Sequence, residues 1–191
     1  MPDLLIHVCC APCLTAPYFQ LRENFNLRGF WYNPNIHPYT EYKKRMSALE
    51  NFAAEQELEV IYKDEYNLEE FLRRAVYREN NRCEQCYYDR LKYTAIVARK
   101  GKFDYFTSTL LYSKYQDHEK IREIGESLAQ EYKIQFYYED LRKYWSDGIR
   151  ISKEKGMYRQ QYCGCIYSEK ERYLGKQAPL TPPEALRGKN A

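Results

Sequence analysis

The stretch "LLIHVCCAPC" (residues 4–13) joins a short apolar run to three cysteines and a proline. The apolar residues 4–8 are typical of a buried strand. Pro12 suits the first turn of a helix, where its missing N–H costs nothing. The stretch therefore predicts a strand-to-helix turn that carries Cys9 and Cys10.

The same alternation of strand and helix continues along the chain. Strands that alternate with helices indicate a Rossmann-like α/β fold, a doubly wound parallel sheet with helices on both faces. We predict one catalytic domain over residues 1–173 and a loose tail over 174–191, which contains several prolines and glycines. The five predicted strands cover residues 4–8, 27–32, 58–63, 103–109 and 134–140, and the main helices cover Thr40 to Gln56, Glu84 to Lys100 and a segment beginning near Asp117.

Composition narrows the class of protein. The 191 residues are enough to bury a core without disulfide bonds. The apolar start has no basic segment before it, and no apolar run approaches the roughly 18 residues of a membrane span. We therefore expect a cytoplasmic protein without membrane contact, in a reducing compartment where seven cysteines favour metal binding or redox chemistry over a disulfide framework.

Polar residues follow two of the predicted strands. In open parallel sheets, ligands bind beyond the carboxyl ends of the strands. Cys9 and Cys10 follow the first strand, and Thr107, Ser108 and Thr109 end the fourth. Both groups are thus predicted at the functional edge of the sheet.

A second cysteine pair begins a predicted helix. Cys83 and Cys86 are three residues apart, which places both on one helix face. The positive end of a helix stabilises thiolates. Together with Cys9 and Cys10, these residues could form the four-cysteine shell of an iron–sulfur cluster.

Other interpretations of the cysteines remain open. A structural zinc site also uses C-x-x-C units, which would suit a zinc-stabilised RNA-binding module. Cys10 and Cys13, in "CAPC", resemble the dithiol of a thiol–disulfide oxidoreductase. Cys163 and Cys165 form a C-x-C motif, which suits a redox-active pair or a second metal.

Several cofactors are not indicated. No phosphate-binding G-x-x-x-x-G-K-[ST] and no dinucleotide-binding G-x-G-x-x-G occurs, so neither ATP nor a nicotinamide is predicted. His7 lies in the first strand and is predicted to be a core histidine with satisfied hydrogen bonds. No pair of histidines has the spacing of a metal site.

Five motifs occur in order along the chain: "CCAPC", "WYNPNIHPYTEYKKR", "CEQCYYDRL", "FTSTLLYSKYQ" and "YRQQYCGCIYSEKER". Together they resemble the cobalamin-independent epoxyqueuosine reductase family, the QueH type. The resemblance spans residues 4–173. Each motif alone is modest, but the ordered set is highly specific.

The resemblance implies the last step of queuosine synthesis, the two-electron reduction of the epoxide of epoxyqueuosine at the wobble position of a tRNA with a GUN anticodon. It implies a [4Fe-4S] cluster, an additional mononuclear iron, an external electron donor and no cobalamin. It also implies similarity to the nucleotide-binding domains of tRNA-thiolation enzymes. Carried over by motif, the cluster ligands are Cys9, Cys10, Cys83 and Cys86, and Cys163 and Cys165 are a redox-active pair or bind the second iron.

A wider set of residues is predicted around this centre. A wobble base in a single-stranded loop can be splayed out and stacked on aromatic side chains. We also expect the basic region 89–102 to contact tRNA phosphates. Candidate extra metal ligands are Cys13, Asp89 and Asp140, and candidate substrate-binding residues, some of which could instead simply hold a turn or pack, are Asn33, Asn35, Glu41, Arg45, Thr107, Ser108, Tyr158, Arg159 and Tyr162.

Overall fold

The computed structural model describes residues 1–175, which contain a five-stranded parallel sheet. The order of the strands is β3-β2-β1-β4-β5. All five predicted strands are present, and each is shorter than or as long as the apolar run that predicts it. Their bounds are β1 Asp3–His7, β2 Asn26–Trp31, β3 Val60–Tyr62, β4 Tyr105–Ser108 and β5 Gln135–Phe136.

Seven α-helices connect and extend these strands within residues 1–175. Three single-turn 3₁₀ helices are also present in this range, at Glu79–Asn81, Thr109–Tyr112 and Leu141–Tyr144. The α-helices are α1 Ala11–Leu21, α2 Tyr39–Glu55, α3 Leu68–Ala75, α4 Arg82–Lys100, α5 His118–Tyr132, α6 Trp145–Glu154 and α7 Ile166–Leu174.

The two faces of the sheet are covered by different helices. Successive side chains of a strand point to opposite faces. Leu4 and Ile6 of β1 share a core with Leu49 of α2, whereas Leu5 shares the other core with Leu91 of α4. The predicted doubly wound fold is therefore confirmed.

Local sequence explains where the helices begin. Pro12 lies in the first turn of α1, as predicted. The side chain of Asn67 accepts a hydrogen bond from Glu70 N at 3.0 Å, and Asp117 accepts one from Lys120 N at 3.1 Å. Each satisfies one of the free N–H groups at its helix start.

The functional edge of the sheet is set by its topology. β1 lies between β2 and β4, so the chain changes sides after β3. Such a switch point leaves a crevice at the carboxyl ends of the two central strands. His7 of β1 is opposite Ser108 of β4 in the register, and Cys9 and Thr109 follow directly at this crevice.

Much of the predicted tail, residues 176–191, lies outside the described residues, and the division at residue 173 stays a prediction. α7 ends one residue later, at Leu174. Within residues 1–175, no helix combines the length and the apolar character that crossing a membrane requires.

Candidate metal and redox site

The cysteines lie at the starts of three helices. Cys10 is the N-cap of α1, Cys83 lies in the first turn of α4, and Cys165 is the N-cap of α7. The free N–H groups and the positive end of each helix stabilise a thiolate there. Each helix start is thus a position at which a metal-bound thiolate would be stabilised.

One disulfide occurs among the described residues, and it joins Cys10 to Cys13. Cys163 and Cys165, predicted to be a redox-active pair or to bind a second iron, are both free thiols here. The sulfur atoms of Cys9, Cys10 and Cys13 lie within 4.8 Å of one another. Cys10 can therefore bind a metal only after the bond to Cys13 is reduced.

Two polar side chains contact the sulfurs of this first group. Thr109 Oγ1 donates to Cys9 Sγ at 3.2 Å and accepts from Cys9 N at 3.0 Å. Gln160 Nε2 donates to Cys10 Sγ at 2.9 Å. Thr109 was predicted at the functional edge of the sheet but not as a contact of a cysteine, and Gln160 was not among the predicted site residues. The signals were present, since Thr109 follows β4 and Gln160 belongs to the C-x-C motif region.

Arg90 is the principal residue that sequence reasoning missed. It is 2% exposed, and its Nη2 donates to Cys86 Sγ at 2.9 Å. No carboxylate within residues 1–175 forms an ion pair with it, whereas a buried unpaired charge is costly. Burial opposes its charge, but the thiols of Cys86, Cys163 and Cys9 outweigh that effect, so the pKa of Arg90 is raised. The sequence signal for this contact was the spacing of four residues between Cys86 and Arg90, which places both side chains on one face of a helix.

The C-x-C segment is held by a second buried arginine. Arg45, also 2% exposed, donates from Nη1 to Cys163 O at 2.8 Å and from Nη2 to Tyr162 O at 3.0 Å. Its Nε donates to Glu41 at 2.7 Å, and Tyr158 donates to the other oxygen of Glu41. Of the two roles considered for Glu41 and Arg45, these contacts correspond to holding a turn.

The backbone strengthens this attachment. His37 N donates to Gly164 O at 2.8 Å, and Tyr162 Oη donates to His37 O at 2.6 Å. Gly164 has φ +156, and a Cβ there would lie 3.5 Å from Arg45 Nη1. Glycine thus suits the middle of the C-x-C motif both for its backbone and for the close approach of Asn35 Nδ2 and Ile36 Cγ1, each 3.3 Å from where a Cβ would lie.

The three cysteine groups act on one another electrostatically. Burial raises the pKa of Cys9, Cys83 and Cys86, and the charge of Cys163 raises all three further. In the metal-free protein these thiols therefore keep their protons at neutral pH. A bound metal would have to displace those protons, because thiolates are the ligands.

The predicted polar residues of β1 and β4 are buried and mostly hydrogen-bonded within the protein. His7 is fully buried, with Nδ1 2.9 Å from Ser108 Oγ and Nε2 3.1 Å from Tyr32 O. Burial, with a smaller contribution from the Arg90 charge, lowers the pKa of His7 to about 3. The prediction of a satisfied core histidine is confirmed. Thr107 Oγ1, in contrast, is buried and has no hydrogen-bond partner in residues 1–175.

The two asparagines after β2 are both buried. Asn33 Nδ2 donates to Val8 O at 2.8 Å, so it ties the ends of β2 and β1 together. Asn35 is 4% exposed and its Oδ1 has no hydrogen-bond partner within the described residues. Asn33 Oδ1 is likewise buried without a partner within the described residues, so the unpaired acceptor does not distinguish the two asparagines as candidates for binding a ligand.

The candidate carboxylate ligands are engaged by arginines. Asp89 accepts from Arg74 Nη1 at 3.0 and 2.9 Å. Asp140 accepts from Arg142 at both oxygens, and these hydrogen bonds lower its pKa to about 2. The compact group of side chains that could bind a metal consists of Cys9, Cys10 and Cys13, and it includes neither carboxylate.

The basic region 89–102 is divided by the fold. Arg90 faces the thiols, so it cannot contact phosphates as predicted. Arg99, Lys100 and Lys102 are exposed, but they lie at the far end of α4 from Cys86. That separation is about 20 Å of helix at 1.5 Å per residue. Among the predicted residues, Arg159 lies nearer, since it precedes Gln160, whose Nε2 donates to Cys10 Sγ at 2.9 Å.

The geometry weighs against the two alternative kinds of site. A structural zinc ion needs four ligands around one point, but the compact group in residues 1–175 contains three thiols. A thiol–disulfide oxidoreductase must expose its dithiol to a partner. Cys10 and Cys13 are buried, at 1% and 7% exposure.

Comparison with known proteins identifies the family. A sequence model described as "Epoxyqueuosine reductase QueH" matches residues 4–171. The chain belongs to the QueH family of epoxyqueuosine reductases. The resemblance drawn from the five motifs is thereby confirmed, and this QueH-family chain is an oxidoreductase of queuosine biosynthesis.

Individual relatives match over nearly their whole length. The epoxyqueuosine reductase QueH of Dehalococcoides mccartyi is 38% identical over 179 residues, covering 93% of this chain and 98% of the relative. The QueH of Thermotoga maritima is 40% identical over 182 residues, covering 90% and 93%.

A solved structure supports the fold. The U34-tRNA thiolase NcsA from Methanococcus maripaludis, solved with its [4Fe-4S] cluster, superposes with a TM-score of 0.55 at 18% identity. The match covers 87% of this chain and 61% of the thiolase. At this identity the likeness concerns the fold, and it agrees with the predicted similarity to tRNA-thiolation enzymes.

Proposed function

We propose that this chain, in the cytoplasm, reduces the epoxide of epoxyqueuosine in tRNA with a GUN anticodon, using a [4Fe-4S] cluster bound by Cys9, Cys10, Cys83 and Cys86. The observation that carries the proposal is Arg90. Its guanidinium is buried without a carboxylate partner in residues 1–175 and donates to Cys86 Sγ, and a buried charge of this kind is compensated when the neighbouring thiols are charged, as metal-bound cysteines are. The thiolase with the same fold contains such a cluster.

The donor set fits a cluster better than a single ion. The ligands of a cluster bind different iron atoms, so they need not converge on one point. Cys83 and Cys86 lie on one face of α4, near the C-x-C segment whose charges act on both. A cluster bound there supplies electrons one at a time.

The reaction must balance two electrons and two protons. Conversion of an epoxide to an alkene consumes both and releases water. Oxidation of Cys163 and Cys165 to a disulfide yields two electrons and two protons, and an external electron donor would then restore the dithiol. We therefore assign these residues as the redox-active pair, with a second, mononuclear iron as the alternative use of the same thiols.

The protein residues hold this pair in place. Arg45 fixes two carbonyl groups of the segment, and Cys165 is anchored at the start of α7, where it accepts a hydrogen bond from Ser168 N at 3.4 Å. Cys163 is exposed, which allows access from a tRNA loop. Gln116 Nε2 donates to Cys163 Sγ at 3.2 Å and would steady a thiolate there.

The first test is a count of iron, zinc and acid-labile sulfide in protein purified without oxygen, combined with an assay of epoxyqueuosine conversion in tRNA. We expect about four irons and four sulfides per chain, with a fifth iron if the C-x-C pair binds metal. Cys83→Ser and Cys86→Ser should lose cluster and activity together, whereas Cys163→Ser should lose turnover and keep the sulfide. Activity retained in all three variants would contradict the proposal.

A further inference from the structure

An exposed aromatic side chain lies beside the C-x-C pair and has no part in the electron path described above. Tyr115 is 84% exposed, and it belongs to the segment 113–117, which joins the 3₁₀ helix Thr109–Tyr112 to α5. The next residue, Gln116, donates to Cys163 Sγ at 3.2 Å. Because consecutive Cα atoms are about 3.8 Å apart, Tyr115 directly adjoins a residue that contacts the C-x-C pair.

The backbone of the segment 113–117 is held on both sides of the tyrosine. Tyr115 N donates to Ser113 Oγ at 3.2 Å, and Asp117 N donates to Tyr87 Oη at 3.2 Å. These hydrogen bonds fix the position from which an unburied side chain is presented to solvent. A backbone that is ordered before binding lowers the entropic cost of a contact with a ligand.

One aromatic ring supports Tyr115, and one lysine lies beside both. The rings of Tyr115 and Trp145 meet edge to face, with centroids 5.8 Å apart, and Trp145 stacks on the buried Tyr112 with centroids 5.2 Å apart. Lys114 Nζ lies 5.6 Å from the centroid of the Trp145 ring and forms no ion pair within residues 1–175. An exposed aromatic ring and an unpaired cation are therefore available together.

The carboxylates nearest along the chain are those of Asp117, Glu119 and Asp147. Asp117 caps α5, where it accepts from Lys120 N at 3.1 Å. Asp147, two residues after Trp145, forms an ion pair with Arg150 at 3.7 Å. Two of the three carboxylates are thus engaged elsewhere, and the charge that directly adjoins the tyrosine in the chain is the positive one of the preceding lysine.

We infer that Tyr115 stacks on a base that flanks the wobble nucleotide in the anticodon loop, and that Lys114 contacts a phosphate of the same strand. The inference rests on the proposed function, which brings the wobble nucleotide to the exposed Cys163. A neighbouring nucleotide must then pass the segment 113–117, whose Gln116 contacts the same sulfur. A single-stranded loop offers bases and phosphates in alternation, and proteins bind such strands with aromatic platforms and cations.

The test is a double-mutant cycle with stem–loops that have a GUN anticodon and lack the base before or after the wobble nucleotide. Binding is measured by fluorescence anisotropy with the holoprotein. Loss of the stacked base should weaken binding to wild type about 10-fold, as is typical for a base stacked on an aromatic side chain. Tyr115→Ala should bind the intact loop equally weakly and lose nothing further with the abasic loop, whereas Tyr115→Phe should behave as wild type. Tyr132→Ala, about 20 Å away at the other end of α5, is the matched control.

The lysine is tested by the dependence of binding on salt. Lys114→Ala should lower the slope of log affinity against log salt by about 0.7, the value for one phosphate contact with a single strand. Lys100→Ala, at the far end of α4 from Cys86, should leave the slope unchanged.

Absence of coupling between Tyr115 and both flanking bases overturns the inference. Unchanged loop affinity in Tyr115→Ala together with lost turnover also overturns it, and would mark the surface as a docking site for the electron donor. If wild type reduces epoxyqueuosine in tRNA without the coupling, only the stacking assignment fails. If wild type reduces no epoxide, the proposed function fails whatever the coupling.

Discussion

Arg90 Nη2 donates a hydrogen bond to Cys86 Sγ at 2.9 Å, with the arginine buried and the cysteine partly buried in the first half of α4. The guanidinium has thiols rather than carboxylates as its anionic neighbours. A fixed positive charge in such a position favours every state of the site that carries more negative charge. Arg90 is therefore expected to set the affinity of the site for electrons.

Replacing Arg90 by glutamine should make the reduction potential of the bound cluster more negative. At roughly 60 mV per 1.4 kcal/mol for one electron, loss of this charge corresponds to a shift on the order of 100 mV. The measurement is a potentiometric titration followed by visible absorption. Arg90→Lys should restore most of the potential, and the half-exposed Arg74→Gln is the control. Equal potentials in wild type and Arg90→Gln would contradict this role.

Replacing Glu41 by glutamine should destabilise the protein and loosen the C-x-C segment. Arg45 would then be buried without its carboxylate partner, which typically costs about 3–5 kcal/mol. Urea unfolding measures the free energy, and iodoacetamide labelling of the buried Cys165 measures the loosening. Glu154→Gln, which removes an exposed pair with Arg150, should change neither. A labelling rate equal to that of wild type would show that Glu41 does not hold the C-x-C segment in place.

Replacing His37 by phenylalanine should reduce the loss of stability in acid. Burial lowers the pKa of His37 from 6.5 to about 4, so the unfolded chain takes up the proton first as the pH falls. The contribution of this histidine to stability is complete above pH 6.5 and is lost between pH 6.5 and 4, by an amount on the order of 3 kcal/mol. Urea unfolding at several pH values should give a flatter profile for the variant. Parallel profiles would show that His37 does not titrate in this way.

Replacing Cys13 by serine should remove the need for a reductant when the cluster is assembled. Cys10 is bonded to Cys13 in the described structure, and a disulfide sulfur is not a thiolate ligand. Wild type without prior thiol treatment should therefore incorporate less sulfide than Cys13→Ser. Cys10→Ser should incorporate little under either condition. A failure of Cys13→Ser to assemble a cluster even with reductant would instead make Cys13 a ligand.

Replacing Arg159 by alanine should weaken tRNA binding more than replacing Arg99. Arg159 adjoins Gln160, which contacts Cys10 Sγ, whereas Arg99 is about 20 Å from Cys86 along α4, well beyond a Debye length of about 8 Å at physiological salt. Each phosphate contact that is lost lowers the slope of log affinity against log salt by about one. Binding measured over a range of salt concentrations tests both. A reduced slope in Arg99→Ala alone would support the original prediction for residues 89–102.

The order of the strands and helices was predictable because it depends on local signals. Apolar runs, Pro12 in the first turn of α1 and Asn67 as a cap each act within a few residues of chain. The predicted ends differ by one or two residues for most helices, since helix ends are also set by packing. The lengths of the edge strands β3 and β5 were overestimated. At each edge the chain leaves the sheet before the apolar run ends.

The sequence by itself determined the alternating α/β pattern, the placement of the thiols at the starts of α1 and α4, and, through five ordered motifs, the family. Only the tertiary structure decided that Cys10 pairs with Cys13, that Arg45 holds the C-x-C segment and that Arg90 faces the thiols. The physical reason is the separation along the chain over which each kind of interaction acts. Helix and strand formation follow periodicity and capping over a few residues, whereas a buried charge is assigned by whichever partner the fold brings to it, here carbonyls more than 100 residues away from Arg45.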